Sequence, residues 1–239
     1  MQMTDTTARG RDNQAQALTS IAIVIAVSAL AFVGELAAAD YLPWGDEARG
    51  VVAVLVGAIA ALWLTVRRGG SLADIGLVRP RRWLTVPAWV LGIVITFIAA
   101  QALVPQLIAP FFDLPAPDMS RYDFIRGHAL AAISMALLLP LTAAIPEEVV
   151  YRGFLIRHFT RLYGNGQSSA ILAVLSQAII FGAVHFQWGL GGIVITSIMG
   201  LVWGSAYLLC GRNLWIVIMA HSAAHIALVL QLYSMPAPA

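Results

Sequence analysis

Residues 18–39 read LTSIAIVIAVSALAFVGELAAA and contain one charged side chain, that of Glu35. A helix rises about 1.5 Å per residue, so this stretch is long enough to cross the ~30 Å hydrocarbon core of a bilayer. Similar apolar runs follow at 51–66, 86–108, 129–145, 170–186, 193–209 and 214–232. The segment 147–163 is predicted to form a further, partly embedded helix. We therefore predict an all-α fold, a polytopic transmembrane helical bundle of seven or eight helices.

The composition of the whole chain agrees with a membrane protein. Of the 239 residues, 60% are hydrophobic and 11% are charged, and the mean hydropathy is +0.82. Soluble domains contain about 25% charged residues, so this chain is too poor in charge to face water on all sides. The net charge of +2 is too small to indicate a nucleic-acid surface. The single cysteine, Cys210, excludes an internal disulfide and a metal site built from several cysteines.

The arginines predict how the chain is oriented. All 14 basic residues are arginines, which suggests a GC-rich bacterial genome and hence a bacterial cytoplasmic (inner) membrane. The connection after the second run carries one acid, Asp74, and five basic residues: Arg67, Arg68, Arg79, Arg81 and Arg82. The neighbouring connections carry a mixture richer in acids: Asp40, Asp46, Glu47, Asp113, Asp118 and Asp123, with Arg49, Arg121 and Arg126. By the positive-inside rule the arginine-rich connection is cytoplasmic, which places the N-terminus inside and the C-terminus outside.

Few ionisable residues lie within or beside the apolar runs. The main ones are Glu35, Glu147, Glu148, His185, His221 and His225. Such groups are costly at membrane depth, and by default they face a polar interior and mark a functional site. Glu35 has no evident partner in the sequence, and we expect it near the outer interface rather than in the site.

The strongest acidic signal is in residues 146–152, which read PEEVVYR. Proline and acidic residues both suit the first turn of a helix. Glu148 and Arg152 are spaced i,i+4 in the favourable order for an ion pair, whereas Glu147 points about 100° away and has no cation at i+4. Glu147 is therefore a candidate catalytic carboxylate. The alternative is that both carboxylates only cap a helix at the interface.

A histidine lies at the matching distance along the chain. Glu147 and His185 are equidistant from Gly166, so a helical hairpin with arms of about 27–29 Å would bring both to one depth. A carboxylate and an imidazole at one level can act together as a general base on a water molecule. A fully spanning first arm conflicts with the arginine pattern, so that arm must be tilted or the run 129–145 must turn back within the membrane. The alternative for His185 is a core histidine bonded to a backbone carbonyl.

His221 and His225 are spaced i,i+4 and therefore share one face of the last predicted helix. Two imidazoles at this spacing form a helical metal site in the HExxH motif, although the glutamate of that motif is missing here. They could instead donate hydrogen bonds to a developing oxyanion, or simply bond between helices.

Three motifs in order resemble the CAAX protease and bacteriocin-processing family of intramembrane endopeptidases. They are Glu147-Glu148-x-x-x-Arg152, Phe181-x-x-x-His185 and His221-x-x-x-His225. Residues 73–77 (ADIGL) and 213–215 (NLW) are also similar to family sequences. The resemblance covers mainly residues 145–225. It implies a single transmembrane protease-like domain at 18–233, with a cytoplasmic N-terminal tail at 1–17 and a C-terminal tail at 234–239.

The resemblance also implies roles for the site residues. Glu147 would activate the attacking water with the help of His185, and His221 and the fourth position would stabilise the oxyanion. Arg152 would hold Glu148. The family usually has asparagine where this chain has His225, which can still donate a hydrogen bond. A histidine at this position also creates a set of side chains that could hold Zn²⁺. The set consists of His185, His221, His225, Glu147 and Glu148. We favour the metal-free mechanism, and the zinc mechanism stays open.

The predicted activity is hydrolysis of a peptide bond in a membrane-associated or lipidated peptide or protein, from a cavity open to the cytoplasm. The partners would be that substrate and the lipid bilayer, with no nucleic acid. One alternative is a non-proteolytic bacteriocin-immunity or scaffolding protein of the same family. Another is a proton-coupled transporter that uses Glu35, Glu147 and the histidines as a relay, although no inverted repeat is evident.

Overall fold

The computed structural model describes residues 2–41, 50–164 and 166–236, with the side chains of all but 2–11 and Asp40. Helices dominate these residues, and no strand is found among them. In chain order the long helical segments are α1 (Gln2–Ala38), α2 (Val51–Arg67), α3 (Val86–Ile108), α4 (Ala129–Leu162), α5 (Gln167–Ala183), α6 (Gly189–Leu209) and α7 (Leu214–Ser234). Five of them, α1, α3, α4, α6 and α7, contain spans long and apolar enough to cross a membrane. The predicted all-α membrane bundle is confirmed.

The two helices predicted on either side of Glu147 form one continuous segment, α4. Two π-helical stretches, Pro140–Ala144 and Glu148–Leu155, widen it. The two prolines of the segment, Pro140 and Pro146, have no N–H to donate to the preceding turn, which favours such local rearrangement. The long helices among the described residues therefore number seven, or eight when α4 is divided at Glu147. Because α4 crosses the bundle once, neither a tilted arm nor a run that turns back is needed.

The first helix is longer than the apolar run that predicted it. It begins at Gln2 and so passes through the predicted tail, although its apolar span begins only at Asp12. The last helix, α7, ends at Ser234, beside the predicted C-terminal tail. The division into tails and a single domain stays a prediction.

One end of the bundle gathers the arginines. Gln14 Nε2 of α1 donates to Leu162 O of α4 at 3.1 Å, and Arg68 Nη1 at the end of α2 donates to Gln16 O at 2.8 Å. Arg157 of α4 lies 3.4 Å from Asp74 in the connection after α2. The Ser71 backbone N–H and the Arg157 guanidinium hold the pKa of Asp74 below its usual value. We call this part of the molecule the arginine-rich end.

The opposite end contains the end of α1 and the start of α2. The carboxylate of Glu35 accepts hydrogen bonds from the backbone N–H groups of Gly50, Val52 and Ala53 at 2.8–3.3 Å. An acid there satisfies unpaired N–H groups and complements the helix dipole. Glu35 thus has a structural role outside the candidate site, as expected. The acids Asp46 and Glu47 of the intervening connection lie outside the described residues.

The connection between α2 and α3 docks into the arginine-rich end. Leu214 N donates to Gly76 O at 2.8 Å, and Asn213 Nδ2 donates to Val78 O at 2.9 Å. Ile75 is fully buried, and its carbonyl accepts a hydrogen bond from Tyr207 Oη. The two weaker stretches of family-like sequence, 73–77 and 213–215, therefore contact each other. Their contact fixes the start of α7, the helix that carries His221 and His225.

Close backbone packing joins α5 to α6. A Cβ atom at Gly200 would lie 2.8 Å from Cα of Ala178, so only glycine permits this approach. Gln177, fully buried, donates from Nε2 to Gly200 O at 2.7 Å. Trp203 Nε1 then donates to Val217 O at 3.2 Å and ties α6 to α7. These contacts hold the end of α5, and hence His185, in a fixed position relative to α7.

Candidate active site

Glu148 is the centre of a buried polar cluster. Its side chain and that of Arg152 are fully buried, and Arg152 Nη1 donates to Glu148 Oε1 at 2.8 Å. The predicted i,i+4 ion pair is therefore present. The same oxygen lies 2.8 Å from His221 Nδ1, a contact that was not predicted. A carboxylate held by a guanidinium accepts hydrogen bonds, so we assign the hydrogen to Nδ1 of His221 and leave Nε2 for the cavity side.

Glu147 faces the other way. Its Oε2 lies 3.7 Å from His221 Nε2, longer than a hydrogen bond, and its side chain remains 14% exposed. The adjacent glutamates therefore differ in environment: Glu148 points into the protein and Glu147 lines a cavity. This divergence was predicted from their angular separation on a helix. His221 contacts both carboxylates and connects the buried pair to the cavity.

His185 follows the end of α5. Its Nδ1 lies 2.6 Å from Phe181 O, and because a carbonyl can only accept, Nδ1 carries the hydrogen. Its Nε2 is left with a free lone pair, as a general base requires. The ring packs on those of Phe181 and Trp188, at centroid distances of 4.8 and 4.7 Å. His185 is thus bonded to a backbone carbonyl, as expected for a core histidine. It also lines the same cavity as Glu147.

His225 lies one turn after His221, with ring centroids 4.4 Å apart. Its buried Nδ1 finds no hydrogen-bond partner among the described residues. A buried nitrogen without a protein partner is costly unless water or a ligand meets it. His225 therefore leaves hydrogen-bonding capacity at the cavity wall.

One cavity of about 590 Å³ joins these groups. Glu147, His185, His221 and His225 all line it, whereas Glu148 and Arg152 lie behind its wall. Most of the other lining side chains are apolar, among them Val24 and Met199. A polar cluster inside an apolar cavity is the usual form of a small-molecule or peptide site.

The described residues do not fit the zinc alternative. No three His, Cys, Asp or Glu side chains in this part of the chain are arranged to hold a metal ion. The proposed zinc ligands share a cavity wall without converging on one point, so no step of the mechanism below uses a metal.

The cavity lies toward the end opposite the arginines. Its lining includes Phe32, Gly50, Arg121, Gln187 and Trp188, which lie at or near the end of α1, the start of α2 and the connections of that end. No described residue of the arginine-rich connection lines it. The expectations of a cytoplasmic arginine-rich connection and of a cavity open to the cytoplasm therefore cannot both hold.

Sequence reasoning missed the aromatic wall beside His185. The Trp188 ring contacts both His185 and Tyr122, the latter at 6.3 Å between centroids. The Arg152 guanidinium lies 4.6 Å from the Phe181 ring centroid, which links the buried ion pair to the His185 helix. Tyr122 lies in an irregular connection, where periodicity gives no signal. Phe181 and His185, which belong to one of the three motifs, are four residues apart, so their contact fits the spacing of one helical turn.

Fold and site together define a helical membrane protein with glutamate and histidine side chains around a cavity inside the bundle. Residues 129–227 match the family model described as type II CAAX prenyl endopeptidase Rce1-like. The matched residues contain all three motifs, and over this part of the chain the match bears out the predicted resemblance to the CAAX proteases. Intramembrane proteolysis is thereby supported at the level of the family. No curated protein and no solved structure matches the chain.

Proposed function

We propose that this protein is an intramembrane endopeptidase that hydrolyses a peptide bond of a membrane-associated or lipidated peptide or protein. The observation that supports the proposal is the shared cavity of Glu147, His185, His221 and His225. The family match points to the same chemistry, since the printed description is that of a prenyl endopeptidase. The active residues would be these four, with Glu148 and Arg152 as positioning residues.

Glu147 and His185 would activate the attacking water. As the water oxygen attacks the carbonyl carbon, Glu147 takes one proton, while Nε2 of His185 accepts a hydrogen bond from the same water. The tetrahedral intermediate collapses when that proton reaches the amide nitrogen, so that the C–N bond breaks into a carboxylic acid and an amine. General acid–base catalysis of this kind contributes about 10²–10⁴-fold.

His221 and His225 would stabilise the oxyanion of the intermediate. Nδ1 of His221 is committed to Glu148, so the oxyanion can meet only Nε2. To donate from Nε2 as well, the ring must first take up a proton from water in the cavity and become an imidazolium, and the Glu148 carboxylate stabilises that charge. His225 contributes the second donor from a ring whose Nδ1 has no partner among the described residues. One such donor is worth about 10²–10³-fold in rate.

The direct test compares two glutamate-to-glutamine variants in purified, lipid-reconstituted protein. The probes are a farnesylated reporter peptide and its unlipidated counterpart, each with a fluorophore and a quencher across the cleavable region. We expect Glu147→Gln to lower the cleavage rate by about 10²–10⁴-fold, and Glu35→Gln to retain cleavage because Glu35 lies outside the cavity lining. Full activity in Glu147→Gln would refute the proposed mechanism.

A non-proteolytic immunity or scaffolding role is favoured by one observation, the histidine at position 225 where the family usually has asparagine. In that case wild-type protein would cleave neither probe, and Glu147→Gln would leave the cellular phenotype intact while the protein still inserts. The transporter alternative loses one proposed relay group, because Glu35 is bound to the start of α2.

A further inference from the structure

The two ends of the bundle carry opposite charge patterns. Around the arginine-rich end the described basic residues are Arg67, Arg68, Arg79, Arg81, Arg82, Arg157, Arg161 and Arg212, against the acids Asp12 and Asp74. At the opposite end the connection between α3 and α4 carries Asp113, Asp118 and Asp123 with Arg121 and Arg126. This end therefore carries two described arginines in its connection, and one of them, Arg126, pairs with Asp123 at 2.7 Å.

This asymmetry predicts which end faces the cytoplasm. Arginines in short connections close to the ends of transmembrane helices are retained on the cytoplasmic side, and acids contribute little to orientation. The arginine-rich connection between α2 and α3 is short and flanked by membrane helices. The rule therefore assigns the arginine-rich end to the cytoplasm and the end of α7 to the other side.

At the arginine-rich end, the packed connection between α2 and α3 closes the bundle. Ile75 and Leu214 are fully buried, and the hydrogen bond between Leu214 N and Gly76 O joins their two connections. Ile75 packs so closely on α4 that a Cβ atom at Gly153 would lie 2.9 Å from its carbonyl oxygen. Phe154, one residue further along α4, is also fully buried. This plug separates the catalytic cavity from the cytoplasmic end.

The cavity instead extends to the other end. Gly50, Arg121 and Gln187 belong to its lining, and each lies in or beside a connection opposite the arginines. The backbone of that end is tied together by Asp118 N donating to Trp188 O at 3.0 Å and Gly127 N donating to Tyr233 O at 3.1 Å. Substrate therefore has a route to Glu147 from this side.

We infer that the site takes its substrate from the extracytoplasmic side of the membrane. This inference rests on the proposed function and narrows it. The substrate class is an exported peptide held at the outer leaflet, or the outward-facing end of a membrane protein. A lipid-modified C-terminus on the cytoplasmic face would meet the closed end of the molecule.

Single-cysteine labelling in intact bacterial cells tests this inference. Cys210 is the only native cysteine, so Cys210→Ser gives a background without thiols. Two single cysteines are introduced into this background, Asp113→Cys at the cavity end and Arg81→Cys at the arginine-rich end. Both positions are exposed. A membrane-impermeant maleimide should label Asp113→Cys in intact cells and Arg81→Cys only after permeabilisation. The reverse pattern would overturn the inference.

Two further measurements test the orientation without relying on a single cysteine variant. Neither of them requires an active enzyme. Gln187→Cys, in the cavity lining, should also be labelled from outside, and labelling only after permeabilisation would contradict the inference. Alkaline phosphatase fused after α7 should be active, because the enzyme matures only outside the cytoplasm; an inactive fusion counts against the inference. Repeating the labelling with Glu147→Gln separates the two proposals, because orientation does not depend on activity.

Discussion

At the scale of single residues, the site depends on two adjacent glutamates with different surroundings. Glu148 is fully buried and shares Oε1 with Arg152 and His221. Glu147 keeps partial exposure to the cavity. A buried ion pair contributes little net stability, but removing one partner leaves the other charge uncompensated. Arg152 therefore acts by holding Glu148, which in turn orients His221.

Removing Arg152 should destabilise the protein strongly. We expect Arg152→Ala to cost about 3–5 kcal/mol, because the Glu148 carboxylate loses its cation in a buried position. The matched control is Arg157→Ala on the same helix, whose partner Asp74 is 42% exposed and 3.4 Å away. An exposed pair of that kind is worth under ~1 kcal/mol. Thermal denaturation in detergent measures both; equal losses in the two variants would contradict the account.

Much of this residue-scale arrangement could be predicted from sequence. The spacing of Glu148 and Arg152 indicated their ion pair, and the 100° step of a helix separated Glu147 from it. The contact between His221 and Glu148 could not be predicted, since it joins residues 73 positions apart on helices whose relative rotation no local pattern specifies. The zinc alternative failed for the same reason: spacing placed the imidazoles on one face but did not specify where their nitrogens point.

At the scale of elements, the docked connection between α2 and α3 positions the catalytic helices. Asn213 is the N-cap of α7, accepting from Ile216 N at 3.3 Å, and also donates to Val78 O at 2.9 Å. One side chain therefore both starts the helix and holds the connection against it. A shift of α7 would move His221 and His225 together.

Substitutions of Asn213 can separate these two roles. Asn213→Ala should lose both and destabilise by about 0.5–2 kcal/mol for the cap, plus the bond to Val78. Asn213→Ser keeps a capping oxygen but has no amide to reach Val78, so its loss should be smaller. Thermal denaturation measures the order of stability. Serine as destabilising as alanine would show that the cap contributes nothing.

The continuity of α4 was the main element-scale difference from prediction. Pro146 suits the first turn of a helix, so a separate helix was predicted from Glu147 onward. Pro140 instead lies in one π-helical stretch and Pro146 in the α-helical turn before the second, and the chain stays helical from Ala129 to Leu162. Sequence periodicity cannot detect one extra residue per turn within a uniformly apolar run, because no polar face marks the change of phase.

At the scale of the whole molecule, the bundle surrounds one cavity closed toward the arginines. The hydropathy of the runs predicted the bundle, and the arginines predicted its orientation. Where the cavity lies between the two ends could not be predicted, because it depends on how the connection between α2 and α3 folds into the core. Ile75 alone illustrates this: it is fully buried although it lies in a connection.

Filling the cavity should block substrate without unfolding the protein. Ala143 lines the cavity one turn before Glu147 on α4. We expect Ala143→Trp to raise KM for the farnesylated probe at least tenfold, because the indole occupies space that the substrate needs. The control is Ala99→Trp, an equal change on the exposed face of α3. Unchanged KM in Ala143→Trp, with normal stability, would show that substrate binds elsewhere.

The central claim is that Glu147 and His185 act as one unit on a single water molecule. The most direct test is a double-mutant cycle of Glu147→Gln, His185→Ala and the combined variant, measured as kcat/KM on the farnesylated probe. Residues that act as a unit are strongly non-additive, so the account predicts that the double variant is no slower than the slower single variant. Losses that multiply in the double variant would show that the two residues act independently and would contradict the account.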